Sequence, residues 1–244
     1  MNIFYEIHKD IPREGPGDNE STRKAFSKLT DLPKRVNILD IGCGPGMQTV
    51  ELAKLIDGQI IALDAHEPFL KDLNSAAVKA GVSGKIETVI GTMFSLNYKE
   101  ESFDLIWSEG AIFIIGFKEG LDYWKRYVKK GGYVVVSELS WISDNPPEEA
   151  VQFWNKDYPA MKSREENIKD IKDLGYKLIE DFVIPDSAWM DNYYLPIEKR
   201  GSMLKEIYKD DEEAQSQLEG NLLEIDMFRK YSEYYGYVFY IMQV

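Results

Sequence analysis

Three glycines at alternate positions, Gly42, Gly44 and Gly46, follow a carboxylate, Asp40, that precedes the first of them by two residues. Glycine takes up positive φ without steric cost and lets a ligand lie against bare backbone. Such a run holds a bound molecule through main-chain groups. A second carboxylate, Asp64, comes 18 positions after Gly46, at the end of an apolar run. An acid at the tip of the second strand of a doubly wound fold accepts hydrogen bonds from ribose hydroxyls. Together these signals call for a ribose-bearing cofactor. A dinucleotide fingerprint would need G-x-G-x-x-G, with its third glycine where Met47 stands.

Groups able to move a proton are few. The two histidines are His8 and His66, and an unperturbed imidazole titrates near neutrality. His66 follows Asp64 by two and reads as a neighbour of the nucleoside or as a surface residue. Glu109 and Glu138 each come late in an apolar run and are the carboxylate candidates for a base. Cys43 is the only cysteine, so no internal disulfide can form. It lies inside the glycine turn with no histidine beside it, which points its backbone rather than its thiol at the ligand. No C-x-x-C or H-x-x-x-H spacing occurs, and no metal is expected.

The elements that must position these residues alternate in type. Val36 to Ile41 is an apolar run of the kind buried on both faces of a parallel sheet. The glycine turn follows, then helical spacing over Thr49 to Ile56. Strands are expected at Gln59–Asp64, Lys85–Ile90, Ser102–Gly110, Tyr133–Leu139, Tyr176–Ile184 and from Tyr235 to the last residue. Helices are expected at Pro68–Ala80, Lys118–Lys130, from Pro147 toward Tyr158, and over Lys162–Leu174. Residues 1–20 read as irregular, with a turn-rich piece from Pro12 to Gly17, and Ser21 or Thr22 as the cap of a helix ending near Leu29.

The run Asp40-Ile41-Gly42-Cys43-Gly44-Pro45-Gly46 resembles the first motif of the class I S-adenosylmethionine-dependent methyltransferases, acidic-x-Gly-x-Gly-x-Gly, residue by residue. Phe103-Asp104-Leu105-Ile106 closely resembles the fourth motif, and Lys130-Gly131-Gly132 keeps a turn that usually carries a proline as well. The resemblance covers about residues 36–140. It implies a three-layer, Rossmann-like α/β fold with a seven-stranded sheet in the order 3-2-1-4-5-7-6, the last strand antiparallel. It implies one domain over residues 1–244: an N-terminal lid and helix (1–33), a cofactor-binding core (34–140), and a substrate-side half (141–244) with a helical insert at about 186–234. It implies S-adenosylmethionine as cofactor, S-adenosylhomocysteine as product, and a cofactor site made of Asp40, Gly42, Cys43, Gly44, Asp64, Ala65, Gly91, Thr92, Met93 and Ser108. At position 92 the family often has an aspartate for the adenine amino group, and threonine brings no charge. The lid would be Phe4, Tyr5, His8 and the Arg13–Gly17 loop. Glu109 and His8 are the base candidates. Aromatic residues after the fifth strand and in the insert, among them Phe153, Trp154, Tyr158, Trp189, Tyr193 and Tyr194, would cap the acceptor.

Composition limits the partners. Of 244 residues, 44% are hydrophobic and 29% charged, which suits a soluble globular chain. The formal net charge is −13 and no basic block exceeds Lys129-Lys130, so nucleic acid is not an expected acceptor. No apolar run is long enough to span a bilayer and no signal peptide is evident, so no membrane contact and a cytoplasmic location are expected. A small-molecule acceptor is the expectation, with the oligomeric state open. Two other readings stay open: a module that binds S-adenosylmethionine or S-adenosylhomocysteine without transferring anything, and an NAD-dependent oxidoreductase, which Met47 disfavours.

Overall fold

The computed structural model describes residues 3–9, 11 and 13–244. Pro12 and the side chains of Phe4 and Tyr5, named above with the N-terminal cover, lie outside the described residues. The strands are β1 (Val36–Ile41), β2 (Gly58–Asp64), β3 (Ile86–Ile90), β4 (Phe103–Glu109), β5 (Val128–Trp141), β6 (Lys177–Val183) and β7 (Tyr235–Gln243). They form one sheet in the order β3-β2-β1-β4-β5-β7-β6. The first five run parallel, and β7 pairs antiparallel with both β5 and β6. This is the fold and strand order that the resemblance implies.

Helices cover both faces because the central strands are apolar on both. On one face Ile38, Leu105, Trp107, Val135 and Phe239 pack with Leu52 of α3 (Met47–Leu55) and Leu73 of α4 (Glu67–Lys79). On the other, Leu39, Ile106, Val136 and Tyr240 pack with Leu121 and Trp124 of α5 (Phe117–Lys125), close to Ile171 of α7 (Arg164–Asp173). The α6 helix (Glu148–Asp157) starts after Pro147, as the sequence implied. No helix of the described residues is long and apolar enough to cross a membrane.

The N-terminal segment departs from its sequence reading. Ile3–His8 is a helix, α1, where irregular chain was expected. Ile3 and Ile7 are buried, so tertiary packing supplies what six residues cannot supply alone. The next helix, α2 (Asn19–Phe26), starts earlier than Ser21 or Thr22, because Asp18 is the cap and its Oδ1 accepts the Ser21 N–H at 2.6 Å. Thr22 instead points inward and is fully buried.

The long insert between β6 and β7 is helical: α8 (Asp186–Trp189), a π-helical turn (Met190–Tyr194), α9 (Leu195–Ile207) and α10 (Glu212–Tyr231). It packs around Trp189, whose ring stacks on Phe228 with centroids 4.4 Å apart. The insert also holds the N-terminal segment. The Gly17 N–H bonds to the Ala188 carbonyl at 3.1 Å, Asn192 Nδ2 donates to the Gly17 carbonyl at 3.0 Å, and His8 Nε2 lies 3.1 Å from the Tyr193 hydroxyl.

Candidate functional site

The carboxyl ends of β1, β2, β3 and β4 open onto one cavity of about 350 Å³. Open α/β sheets bind ligands at that edge, where the strand order reverses. Gly42, Cys43 and Gly44 come from the turn after β1, Asp64, Ala65 and His66 from the end of β2, Gly91 to Phe94 from the end of β3, and Glu109 to Ala111 from the end of β4. Residues 13–16 of the N-terminal segment form the opposite wall.

Local geometry explains the turn. Gly46 precedes α3 at φ +84°, and a Cβ there would lie 2.2 Å from Leu73 Cδ1. Only glycine lets α3 and α4 approach this closely at that φ. Gly44 sits at φ +54°, and its N–H donates to Asp64 Oδ2 at 2.8 Å. Asp64 Oδ1 accepts the His66 N–H at 2.8 Å. One carboxylate thus ties the β1 and β2 turns together and still presents lone pairs to the cavity.

Ten of the residues singled out from sequence line the cavity, beside part of the Arg13–Gly17 loop: Gly42, Cys43, Gly44, Asp64, Ala65, His66, Gly91, Thr92, Met93 and Glu109. Asp40, Ser108 and His8 are not among its lining residues. Asp40 is fully buried beneath the turn, where its Oδ2 accepts a hydrogen bond from Thr49 Oγ1 at 2.6 Å. Burial, with Glu109 nearby, raises its pKa to about 7 against the pull of that bond. Ser108 donates its hydroxyl to the Ile41 carbonyl at 2.8 Å and holds β4 against β1. Burial, with Asp40 and Asp64 nearby, pushes the Cys43 thiol up, away from thiolate chemistry.

Glu109 is saturated. Its Oε2 accepts from both terminal nitrogens of Arg13, at 2.8 and 2.7 Å. Its Oε1 accepts from Thr22 Oγ1 at 2.8 Å and from Trp107 Nε1 at 2.9 Å. This buried ion pair is 96 residues apart in sequence and pins the N-terminal segment over the cavity.

Glu14 is the site residue that sequence reading passed over, although it lies in the Arg13–Gly17 loop. Both its carboxylate oxygens are buried without a hydrogen-bond partner. Burial raises its pKa to about 8, and Asp64 and Asp72 add to the shift. His8 Nδ1 lies 4.0 Å from Glu14 Oε2. Among the described residues no group of three or more metal-ligating side chains gathers.

These raised carboxyls set a pH dependence. Asp40 is raised to about 7, and Glu14 and Glu138 to about 8. A carboxyl whose folded pKa exceeds its unfolded one stabilises the fold below the unfolded value and loses that stability as pH rises through the folded value. The lowered carboxyls, such as Glu51 and Asp170, act below the usual carboxylate range and leave this window untouched. The expected result is a melting temperature for the ligand-free protein that falls from pH 6 to pH 8.5, by an amount matching about 1–3 kcal/mol per group. A flat or rising profile would mean that these groups ionise without cost in the fold.

A seven-stranded sheet of this order, with a glycine turn after β1 and an acid closing β2, is the class I methyltransferase fold. Residues 39–136 match the family described as "Methyltransferase domain". Through that stretch the chain is similar to the class I, S-adenosylmethionine-dependent methyltransferases. It is similar to "Phosphoethanolamine N-methyltransferase 1" of Triticum aestivum, at 28% identity over 167 residues, which are 68% of this chain and 31% of the wheat protein. The chain thus spans about a third of the length of that curated relative. Among solved structures, the S-adenosyl-L-homocysteine complex of a SAM-dependent methyltransferase from Geobacter sulfurreducens superposes with a TM-score of 0.83 at 20% identity, over 99% of this chain and 97% of that one. The [4+2]-cyclase SpnF shares the fold with a TM-score of 0.77 at 16% identity, over 99% of this chain and 90% of that one.

Proposed function

We propose that this chain transfers the methyl group of S-adenosylmethionine to a small-molecule acceptor. The observation that carries the reading is the cavity, whose walls suit each part of such a cofactor. Asp64 and the adjoining Ala65 would take the ribose. Gly91, Thr92 and Met93 would take the adenine. The Gly42–Gly44 backbone would take the amino-acid end, with the unpartnered Glu14 carboxylate as a counter-charge for a cofactor that carries cations. A cradle of this kind with an orphaned carboxylate inside fits the group.

The cofactor supplies a methyl carbon made electrophilic by its sulfonium. The protein must orient the acceptor behind that carbon and exclude water, and orientation alone is worth roughly 7–11 kcal/mol. Arg13 to Pro16 close the cavity from the side opposite the sheet. We assign Glu109 to holding that cover, since all its bonds go to Arg13, Thr22 and Trp107. His8 stands behind Glu14 and connects to the cavity through it. Asp40 and Ser108 support the turn and β4 from beneath. The size of the cavity, about 350 Å³, and the net charge of −13 favour a small acceptor over a nucleic acid. The name of the wheat relative points the same way.

Binding without methyl transfer is the second reading, and the fold shared with a cyclase supports it, since fold alone does not fix chemistry. The test is calorimetric titration of ligand-stripped protein with S-adenosylmethionine, S-adenosylhomocysteine and NAD, followed by labelled S-adenosylmethionine with a metabolite panel. Micromolar binding of the two sulfur ligands, none of NAD, and label recovered in a product are expected. Failure of both sulfur ligands on folded protein would withdraw the proposal. Binding with no labelled product would favour the second reading.

A further inference from the structure

The reaction as proposed leaves one buried acid without a task. Glu138 lies near the carboxyl end of β5 and is 1% exposed. Its Oε1 accepts a hydrogen bond from the Tyr158 hydroxyl at 2.7 Å. Its Oε2 is equally buried and has no hydrogen-bond partner. Among the described residues no cation forms an ion pair with it. Held ionised in this state it would cost several kcal/mol, so the free protein keeps it protonated until a cation arrives to pair with it.

The place is next to the cofactor cavity. Ser137, the preceding residue, pairs with Glu109 across β4, and its Oγ accepts the Gly110 N–H at 2.9 Å. Gly110 and Phe113 line the cavity. The Phe113 ring meets Tyr158 edge to face, with centroids 5.8 Å apart. A Cβ built at Gly110 would lie 3.7 Å from the Tyr237 ring. Phe113 is 42% exposed, lines the cavity and touches Tyr158, so the Glu138–Tyr158 pair adjoins the cavity through this ring.

We infer that Glu138 and Tyr158 form the acceptor subsite, and that the acceptor presents a protonated amine to Glu138 Oε2. The inference rests on the methyl-transfer reading and names the class of its substrate. A neutral hydroxyl would satisfy one lone pair but leave the charge uncompensated, whereas an ammonium satisfies both. Phe113, Tyr158 and Tyr237 supply ring faces that also favour a cation.

The chemistry follows from the pairing. An ammonium nitrogen has no lone pair to donate. Glu138 takes one N–H proton, the freed pair forms the N–C bond to the methyl carbon, the C–S bond breaks, and its electrons stay on sulfur. Glu138 keeps that proton when the product leaves, and the proton displaced as the next ammonium binds is the one released per transfer. Burial raises Glu138 to about 8 against the pull of the Tyr158 bond, which suits a base working near neutrality. The titratable groups that face it are Tyr158, Tyr237 and Tyr240, all raised first by burial, with Glu119 acting on Tyr158. Below pH 8 the acid is mostly protonated, so a bound ammonium drives that proton off.

The test uses protein saturated with S-adenosylhomocysteine. It is titrated at pH 7 with ethanolamine, N-methylethanolamine, phosphoethanolamine and 2-phenylethylamine, and with the hydroxyl counterpart of each, in two buffers of different ionisation enthalpy. At least one amine is expected to bind tenfold or more tightly than its counterpart, with release of a proton. Glu138→Gln should weaken that amine at least tenfold while S-adenosylhomocysteine affinity stays within twofold, and Tyr158→Phe should weaken it in the same sense. No amine binding, equal binding of amine and hydroxyl, or an unchanged Glu138→Gln variant would each overturn the inference. If Glu138→Gln does not fold, Tyr158→Phe decides by the same criteria. Failure of the wild-type chain to bind S-adenosylhomocysteine would instead sink the methyl-transfer reading.

Discussion

Asp64→Ala is expected to weaken binding of S-adenosylmethionine and S-adenosylhomocysteine about a hundredfold, with the circular dichroism spectrum unchanged. Asp64 is the hinge of the site, accepting the Gly44 and His66 N–H groups at 2.8 Å each. A hydrogen bond to a charged group is worth about 1.5–3 kcal/mol, and the ribose offers two hydroxyls. Losing roughly 3 kcal/mol corresponds to about a hundredfold in the dissociation constant. The two backbone donors left behind sit in turns that reach water, so the fold should survive. An affinity within threefold of wild type, measured by calorimetry, would remove the ribose assignment.

Glu109→Ala is expected to be the most destabilising single change at the site, at about 3–5 kcal/mol. That is the usual cost of removing one partner from a buried ion pair and leaving the other charged and unpaired. Arg13 is 4% exposed and has no other carboxylate at salt-bridge distance among the described residues. Removing both members should cost less than the sum of the two single changes, because the double variant buries no lone charge. Chemical denaturation of the two single variants and the double one measures this coupling. Strict additivity would mean that the N-terminal segment is held by its contacts with the insert alone. In the Glu109→Ala variant, trypsin should also cut after Arg13 faster than in the wild type, since the bond lies in the cover that Glu109 retains.

The parts of this fold that could be read from sequence are those where local chemistry and global structure agree. Val36–Ile41 is apolar because it is buried on both faces, and Gly46 is glycine because Leu73 fills the space a side chain would need. Strand order is different. Nothing in the periodicity orders seven strands, and the resemblance to a family supplied that. The N-terminal segment was misread because its structure is tertiary. A six-residue helix has no sequence signal of its own, and Arg13 and Glu109 lie 96 residues apart with nothing local to link them. Ser21 and Thr22 are competent caps by residue type, yet Asp18 takes that position and Thr22 gives its hydroxyl to Glu109. Glu14 carries no motif. Only its position, facing Gly44 with both oxygens lacking a hydrogen-bond partner, marks it.

The β6–β7 hairpin separates two kinds of evolutionary change. Its strands are direct neighbours, yet residues 184–234 lie between them. The entropy of closing a connection grows only with the logarithm of its length, about 0.6 kcal/mol per doubling. Stretching a five-residue turn tenfold therefore costs the sheet roughly 2 kcal/mol. The stacking of Trp189 on Phe228 and the packing of α9 on α10 can offset that within the insert itself. Insertions and deletions can thus accumulate in residues 184–234 while the strand register of β5 and β7 stays fixed. The insert is an exchangeable cassette: residues 184–234 can be rewritten over generations without disturbing the strand ends that line the cavity.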